Sequence, residues 1–251
     1  MRRMGIKAKM ALLLLPLLVL LLLFILRSVP HFTIRTIQVT AQQGSGQVPT
    51  EAANYLSTLV GTSLFALNLG KEEGRLEAYS PVQKASVKRA LPSTLVVDLT
   101  LIDALALVQG GEGQAFFLVK EDRLFDLDSR DVPDWQKVVL SIEVPLSYAQ
   151  MMARHGIDEA FAQVMELARS LESKTTLITR VKYDNNSSNS FGKMVLELSS
   201  LNAQIWVREP VGAHLVQAAI LLVQQDQQDA LSFLSLPTRR YDLYREGLVQ
   251  R

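Results

Sequence analysis

Cysteine is absent from this 251-residue chain. That excludes disulfides, thiolate metal sites and cysteine nucleophiles together. Histidine is scarce: His31, His155 and His214 lie far apart without metal-ligand spacing, and each reads as a surface or capping residue. A basic excess is also missing. Formal net charge is +1, which gives no electrostatic footprint for nucleic acid, and there is no acidic tail. No internal repeat is visible. The stretch Gly110-Gly111-Glu112-Gly113 lacks the Lys-Ser/Thr of a phosphate loop and precedes a strand, so a hairpin turn accounts for it. Glu121, Asp122, Asp126, Asp128, Asp131 and Asp134 cluster loosely, but their spacing matches no calcium loop and reads as a solvated face. No catalytic residue, metal, cofactor or small-molecule substrate is expected.

One long apolar run is present. Residues 11–26 read ALLLLPLLVLLLLFIL without a charge, after Arg2, Arg3, Lys7 and Lys9 and before Arg27. Each Leu, Ile, Val or Phe favours insertion by about 0.3 to 0.6 kcal/mol near the bilayer centre, so the run favours a span even with Pro16 inside it. From Ala11 to Leu26 a helix rises roughly 24 Å against a core near 30 Å; Met10 extends it, and Lys9 and Arg27 can snorkel. A cleaved signal peptide fits less well, because Arg27, Ser28, Val29, Pro30, His31 and Phe32 follow where small residues are needed. The basic excess before the run places a short tail inside and the bulk outside.

About 220 residues follow the run, enough for one large or two small domains. Residues 32–40 read as a strand, then Pro49 opens a helix whose Ala52, Leu56, Leu59 and Val60 share a face, closed near Gly61. Asn68 caps a second helix to about Tyr79, weakened by Gly70 and Gly74. Residues 82–90 form a strand, Leu91-Pro92-Ser93 turns it, and residues 94–101 alternate with Leu95, Val97, Leu99 and Leu101 on one face. The order strand, helix, helix, strand, strand predicts a small three-stranded sheet with two helices on one face.

The remainder is richer in strands. Residues 115–119 and 123–127 form a hairpin, and residues 137–142 another strand. Asp158 caps a helix carrying Ile157, Phe161, Val164, Ala168 and Leu171. Strands follow at 177–183 and 193–198 across a polar loop of residues 184–192, which contains Asn185 and Asn186, and at 203–207. A helix over 212–228 is apolar through Leu215, Ala218, Ala219 and Leu222. Two short strands flank Glu246-Gly247.

In this order the pieces resemble the FtsQ/DivIB family of bacterial cell-division proteins. The closest likeness is the stretch SPVQKASVKRALPSTL of residues 80–95, against the family pattern P-x-V-x-x-A-x-V-x-R-x-x-P-x-T-L. Residues 32–39, the phrase Gly61-Thr62-Ser63-Leu64-Phe65-Ala66-Leu67 and Arg240-Tyr241-Asp242-Leu243-Tyr244 resemble other family phrases. The Glu-Arg-x-Pro phrase is replaced by Leu101-Ile102-Asp103-Ala104, and the D-L-R-Y phrase lacks its Arg. The resemblance implies an α+β chain: a cytoplasmic tail (1–9), a transmembrane helix (10–27), a POTRA-like domain (30–103), and a β-rich domain with a curved sheet and packed helices (104–251). It further implies no catalysis, a place in the inner membrane at the septum, and binding of divisome partners, small single-span coiled-coil proteins above all, through the last strands.

Two surfaces are candidates for that binding. At the C-terminal edge, Tyr244, Arg245, Leu248 and Val249 would contact an added strand; the plain alternative is that they merely close the sheet. Along residues 79–89, Lys84, Lys88 and Arg89 are expected exposed, either for a partner or to guard the edge. Two rivals stand beside the scaffold: a membrane-tethered envelope enzyme, and a POTRA-bearing protein that handles exported polypeptides.

Overall fold

A computed structural model describes residues 30–172, 177–185, 191–228 and 238–251. The predicted span, with Ala11, Pro16 and Leu26, lies outside the described residues, as does most of the polar loop (186–190). Among the described residues no helix is long and apolar enough to cross a membrane. The chain divides into two compact units, meeting in sequence between Leu101 and Ile102.

The first unit has the predicted order. It comprises β1 (Thr36–Gln42), α1 (Thr50–Thr58), α2 (Leu69–Glu77), β2 (Val82–Ala90) and β3 (Thr94–Leu101). The sheet order is β1-β3-β2, with β1 parallel and β2 antiparallel to the central β3. Leu95, Val97, Leu99 and Leu101 are buried on one face of β3, as the alternation requires. Each such leucine or valine stabilises the unit by about 1.5–3 kcal/mol. Pro49 sits at the N-cap of α1 rather than inside its first turn. Asn68 caps α2, its side chain accepting from the Lys71 N–H at 3.3 Å. Gly70 and Gly74 do not prevent that helix, because buried Leu76 and Glu72 anchor its inner face. Gly61 lies past the helix end at φ +88°, where it donates to the Ile34 carbonyl at 2.8 Å.

β1 begins at a bulge. The N–H groups of Arg35 and Thr36 both point at the Ser93 carbonyl, at 2.9 and 3.3 Å, and both side chains are exposed. Before the bulge, the chain is covered by the 61–64 segment: Ile34 N–H donates to Thr62, and Leu64 N–H to Phe32, each at 2.8 Å.

The second unit is built on one nine-stranded sheet. Its strands are β4 (Ala106–Gly110), β5 (Ala115–Lys120), β6 (Arg123–Asp126), β7 (Ser141–Val144), β8 (Arg180–Asp184), β9 (Lys193–Leu198), β10 (Ala203–Val207), β11 (Arg239–Tyr244) and β12 (Gly247–Gln250). The order β12-β11-β10-β9-β8-β7-β4-β5-β6 leaves β12 and β6 as edges. Three helices supply the core of one face: α4 (Leu146–His155), α5 (Glu159–Glu172) and α6 (Ala213–Gln228). A short α3 (Val132–Trp135) precedes β7. Tyr148, Phe161, Tyr183 and Phe191 pack ring to ring in that core, with centroids 5.8–6.4 Å apart. The Tyr148 hydroxyl donates to Asp158 at 2.8 Å, and Asp158 also accepts from the Phe161 N–H, which is the predicted cap.

Several predicted elements need correction. The strand expected at 137–142 is a turn followed by β7, because Val132-Pro133-Asp134-Trp135 folds into α3 and buries Trp135. Strand β8 starts at Arg180, not Leu177. β4 and α4 were not predicted at all. On α6 the buried face is Val216, Ala219, Ile220 and Val223, while Leu222 is 52% exposed, a rotation away from the predicted set. The helix is apolar on more than one side, so periodicity alone does not select the inner face.

Candidate interaction edges

The two surfaces singled out in the sequence are both strands at sheet edges, and the structure treats them differently. β2 is an edge of the first unit, but two of its outward N–H groups are occupied. Val87 N–H donates to Glu73 Oε1 at 2.8 Å and Ala85 N–H to Glu77 Oε1 at 3.0 Å. The fit is one of pitch. Four residues of helix advance about 6 Å and two residues of strand about 6.6 Å, so carboxylates at i and i+4 on α2 meet alternate N–H groups on β2. Arg89 is held as well: its guanidinium donates to the Leu64 and Leu67 carbonyls, both at 2.7 Å. Lys88 pairs with Asp98 at 3.3 Å. Lys84 is exposed. Of the three basic residues expected here, Arg89 thus serves the fold.

β12 is an edge of another kind. The Arg251 N–H donates to the Arg240 carbonyl at 2.9 Å, and the register pairs Asp242 with Val249 and Tyr244 with Gly247. In an antiparallel pair the bonded positions alternate, so residues 247, 249 and 251 face β11 and the backbone groups of Leu248 and Gln250 point outward. Leu248 packs its side chain against the core, and Val249 is 53% exposed. Tyr244 ends β11, half-buried. Arg245 lies in the turn, where its N–H meets the Glu209 carboxylate and its Nε donates to the Pro210 carbonyl at 3.1 Å. It braces the turn on the preceding loop.

Beside this edge the sheet carries a group the sequence did not reveal. Asp242 is fully buried, and three guanidiniums surround it: Arg208 at 3.3 Å, Arg240 at 3.6 Å and Arg251 at 2.5 Å. A lone buried carboxylate would cost several kcal/mol, and these ion contacts offset that cost. Trp206 lies opposite Asp242 on β10. Arg240 stacks over its ring at 3.4 Å, with Arg208 at 4.8 Å and Lys193 at 4.9 Å from the centroid. Cations outnumber carboxylates at this end of the face. The only sequence signal was an aspartate between Tyr241 and Leu243 in a strand that opens with two arginines.

Elsewhere on the same face, charges are matched. A groove of about 370 Å³ is lined by Glu143, Lys182, Lys193, Glu197 and Trp206 among others. Lys182 lies 3.1 Å from Glu197 and 3.8 Å from Glu143, and Lys193 is 3.3 Å from Asp184. These are cross-strand ion pairs of the kind that stabilise an exposed sheet face.

The remaining sequence candidates are dispersed. Asp128 is bonded to Arg130, whose guanidinium and N–H hold its carboxyl down at about 2. Asp134 pairs with Lys137 at 2.8 Å, and Glu121 and Asp122 form the turn between β5 and β6. His31 packs edge-on against Phe32, His155 ends α4, and His214 lies in the first turn of α6. Among the described residues no three histidine, aspartate or glutamate side chains converge to hold a metal ion. In the core, burial raises the phenols of Tyr148 and Tyr183, the latter to about 12.

A three-stranded sheet in the order strand, helix, helix, strand, strand, followed by a separate β-rich unit, defines a POTRA-bearing chain. Residues 32–100 match the family model of the POTRA domain, FtsQ-type, so the first unit is a domain of that type and supports the FtsQ/DivIB resemblance. The second unit lies outside that match. No curated protein matches the chain.

Proposed function

We propose that this chain is a non-enzymatic, membrane-anchored scaffold of the bacterial division machinery. Residues 10–27 span the inner membrane once, the short N-terminal tail is cytoplasmic, and the two folded units work outside the membrane at the septum. The apolar run with its basic flank supports the anchor and its orientation. The FtsQ-type POTRA domain supports the role in division.

The observation that carries the mechanism is the rim of β12, an open edge among the described residues. An extended segment of a partner adds to the sheet there, bonding the outward backbone groups of Leu248 and Gln250. Exposed Val249 supplies apolar contact, and the arginines around Asp242 attract acidic side chains on the same face. Small single-span coiled-coil proteins fit this role, because residence in one membrane raises the effective concentration of both partners.

The test uses the full chain in its membrane. Gln250→Pro removes an outward N–H and leaves the bonds to β11 in place. Recovery of the co-purified partner is expected to fall at least about tenfold, as one strand-adding hydrogen bond and its fit are lost, with the melting temperature unchanged. Undiminished recovery would sink the edge mechanism. Depletion of the chain is expected to give filaments, with a fluorescent fusion at mid-cell; cells of normal length would sink the role in division.

A further inference from the structure

The first unit has a second edge, β1, which neither the POTRA match nor the β12 mechanism uses. Its sequence is Thr-Ile-Gln-Val-Thr-Ala-Gln, without a single charge. Natural edge strands are ordinarily protected by charges, proline, or a covering element. β2 follows that rule, with Lys84, Lys88 and Arg89 along it and the carboxylates of α2 on its N–H groups. β1 breaks it, and its side chains alternate between exposed and half-buried along the whole strand.

Which backbone groups of β1 face outward follows from its neighbours. Ala85 and Val87 turn their N–H groups away from β3, so their register partners Leu99 and Val97 face β1. The bulge sets Thr36 N–H on Ser93, which starts a ladder using Thr36, Gln38, Thr40 and Gln42. Ile37, Val39 and Ala41 therefore present their N–H and C=O groups outward.

We propose that β1 is the edge through which two copies of this chain join, antiparallel about Val39. This register overlaps the full strand. It sets Val39 opposite Val39 and Ile37 opposite Ala41, all three residues being outward-bonding positions, so each pair exchanges both its hydrogen bonds. Side chains match as well: the half-buried row meets its own kind, large against small at Ile37 and Ala41, and Thr and Gln meet on the exposed row. Self-pairing is the case in which any charge on the strand would face its own sign within a residue or two, and the strand has none. A second copy is thus the occupant whose pattern the strand already meets.

The chain's lack of cysteine makes the test direct. Full-length chain in membrane vesicles, carrying Val39→Cys alone, is expected to form a disulfide-linked dimer on mild oxidation. Cα atoms in a bonded antiparallel pair lie about 5.5 Å apart, within disulfide reach. Gln38→Cys alone and Thr40→Cys alone should link at least about fivefold less, because each residue is two positions out of register with its own copy and beyond the ~7 Å limit. Co-expressed Gln38→Cys and Thr40→Cys chains should link to each other, a readout that survives if the Val39 change perturbs the domain. Equal linking across 36–42, no linking at Val39 together with none in the mixed pair, or linking to a different protein would each overturn the proposal. The β12 test does not depend on any of these outcomes.

Discussion

The edges β2 and β12 both stood out in the sequence as places for a partner: β2 carries Lys84, Lys88 and Arg89, and β12 runs between Arg245 and Arg251. In the fold they are opposites. β2 lies against a helix that carries carboxylates at the strand's own pitch, so the N–H groups of Ala85 and Val87 and the guanidinium of Arg89 are spent within the domain. Among the described residues β12 has no helix bonded to its outward groups, and Arg208, Arg240 and Arg251 gather on the sheet face beside it. Basic residues on an edge strand therefore do not by themselves mark a binding surface. What separates the two edges is where the outward backbone groups go.

The sharpest way to break this contrast is at Asp242. Asp242→Ala leaves three guanidiniums around an empty position and should destabilise the second unit by about 3–5 kcal/mol, measured by denaturant unfolding of the full chain. A loss under ~1 kcal/mol would mean the arginines are held by other groups. Next, Glu73→Ala and Glu77→Ala should each cost about 1–3 kcal/mol by orphaning an N–H of β2, with faster amide exchange at Val87 and Ala85 respectively. If exchange there is unchanged, the edge is not sealed by these side chains. The lysine and arginine of β2 should part company: Arg89→Ala should cost about 1–3 kcal/mol through two lost carbonyl bonds, Lys84→Ala within about 0.5 kcal/mol. Equal effects would erase the distinction. The smallest effect is one of pH. Asp128 is held at about 2 against a usual 3.8, so its interaction with Arg130 favours the fold above pH 3.8 and is lost as pH falls through about 2. Arg130→Ala should return the carboxyl toward its ordinary titration, read by NMR; an unmoved midpoint would refute the pairing.

Much of the first unit was legible because its signals agree. The bounds of β2 and β3 coincide with the periodic runs, Asn68 caps where predicted, and Pro81 and Pro92 fall at turns. The sealing of β2 was not legible: Glu73 and Glu77 read as surface charges until the helix lies beside its strand. The second unit was read less well. α4 carried the boundary marks of a helix, Pro145 before it and Gly156 at φ +87° after it, but its Tyr, Met and Gln gave a weak apolar stripe. β4 is a short apolar run against a glycine turn, too brief for period two to declare itself. The ring of arginines on Asp242 joins residues from β11, the end of β12 and the loop after β10, and only register brings them to one point.

That ring has a consequence for how an outside chain would be held. Guanidinium groups keep their proton across every pH at which a cell envelope survives. The three arginines of this rim therefore hold their positive charge throughout. A complex formed here should loosen with added salt, because the charges that attract it lie on an exposed face where ions screen them.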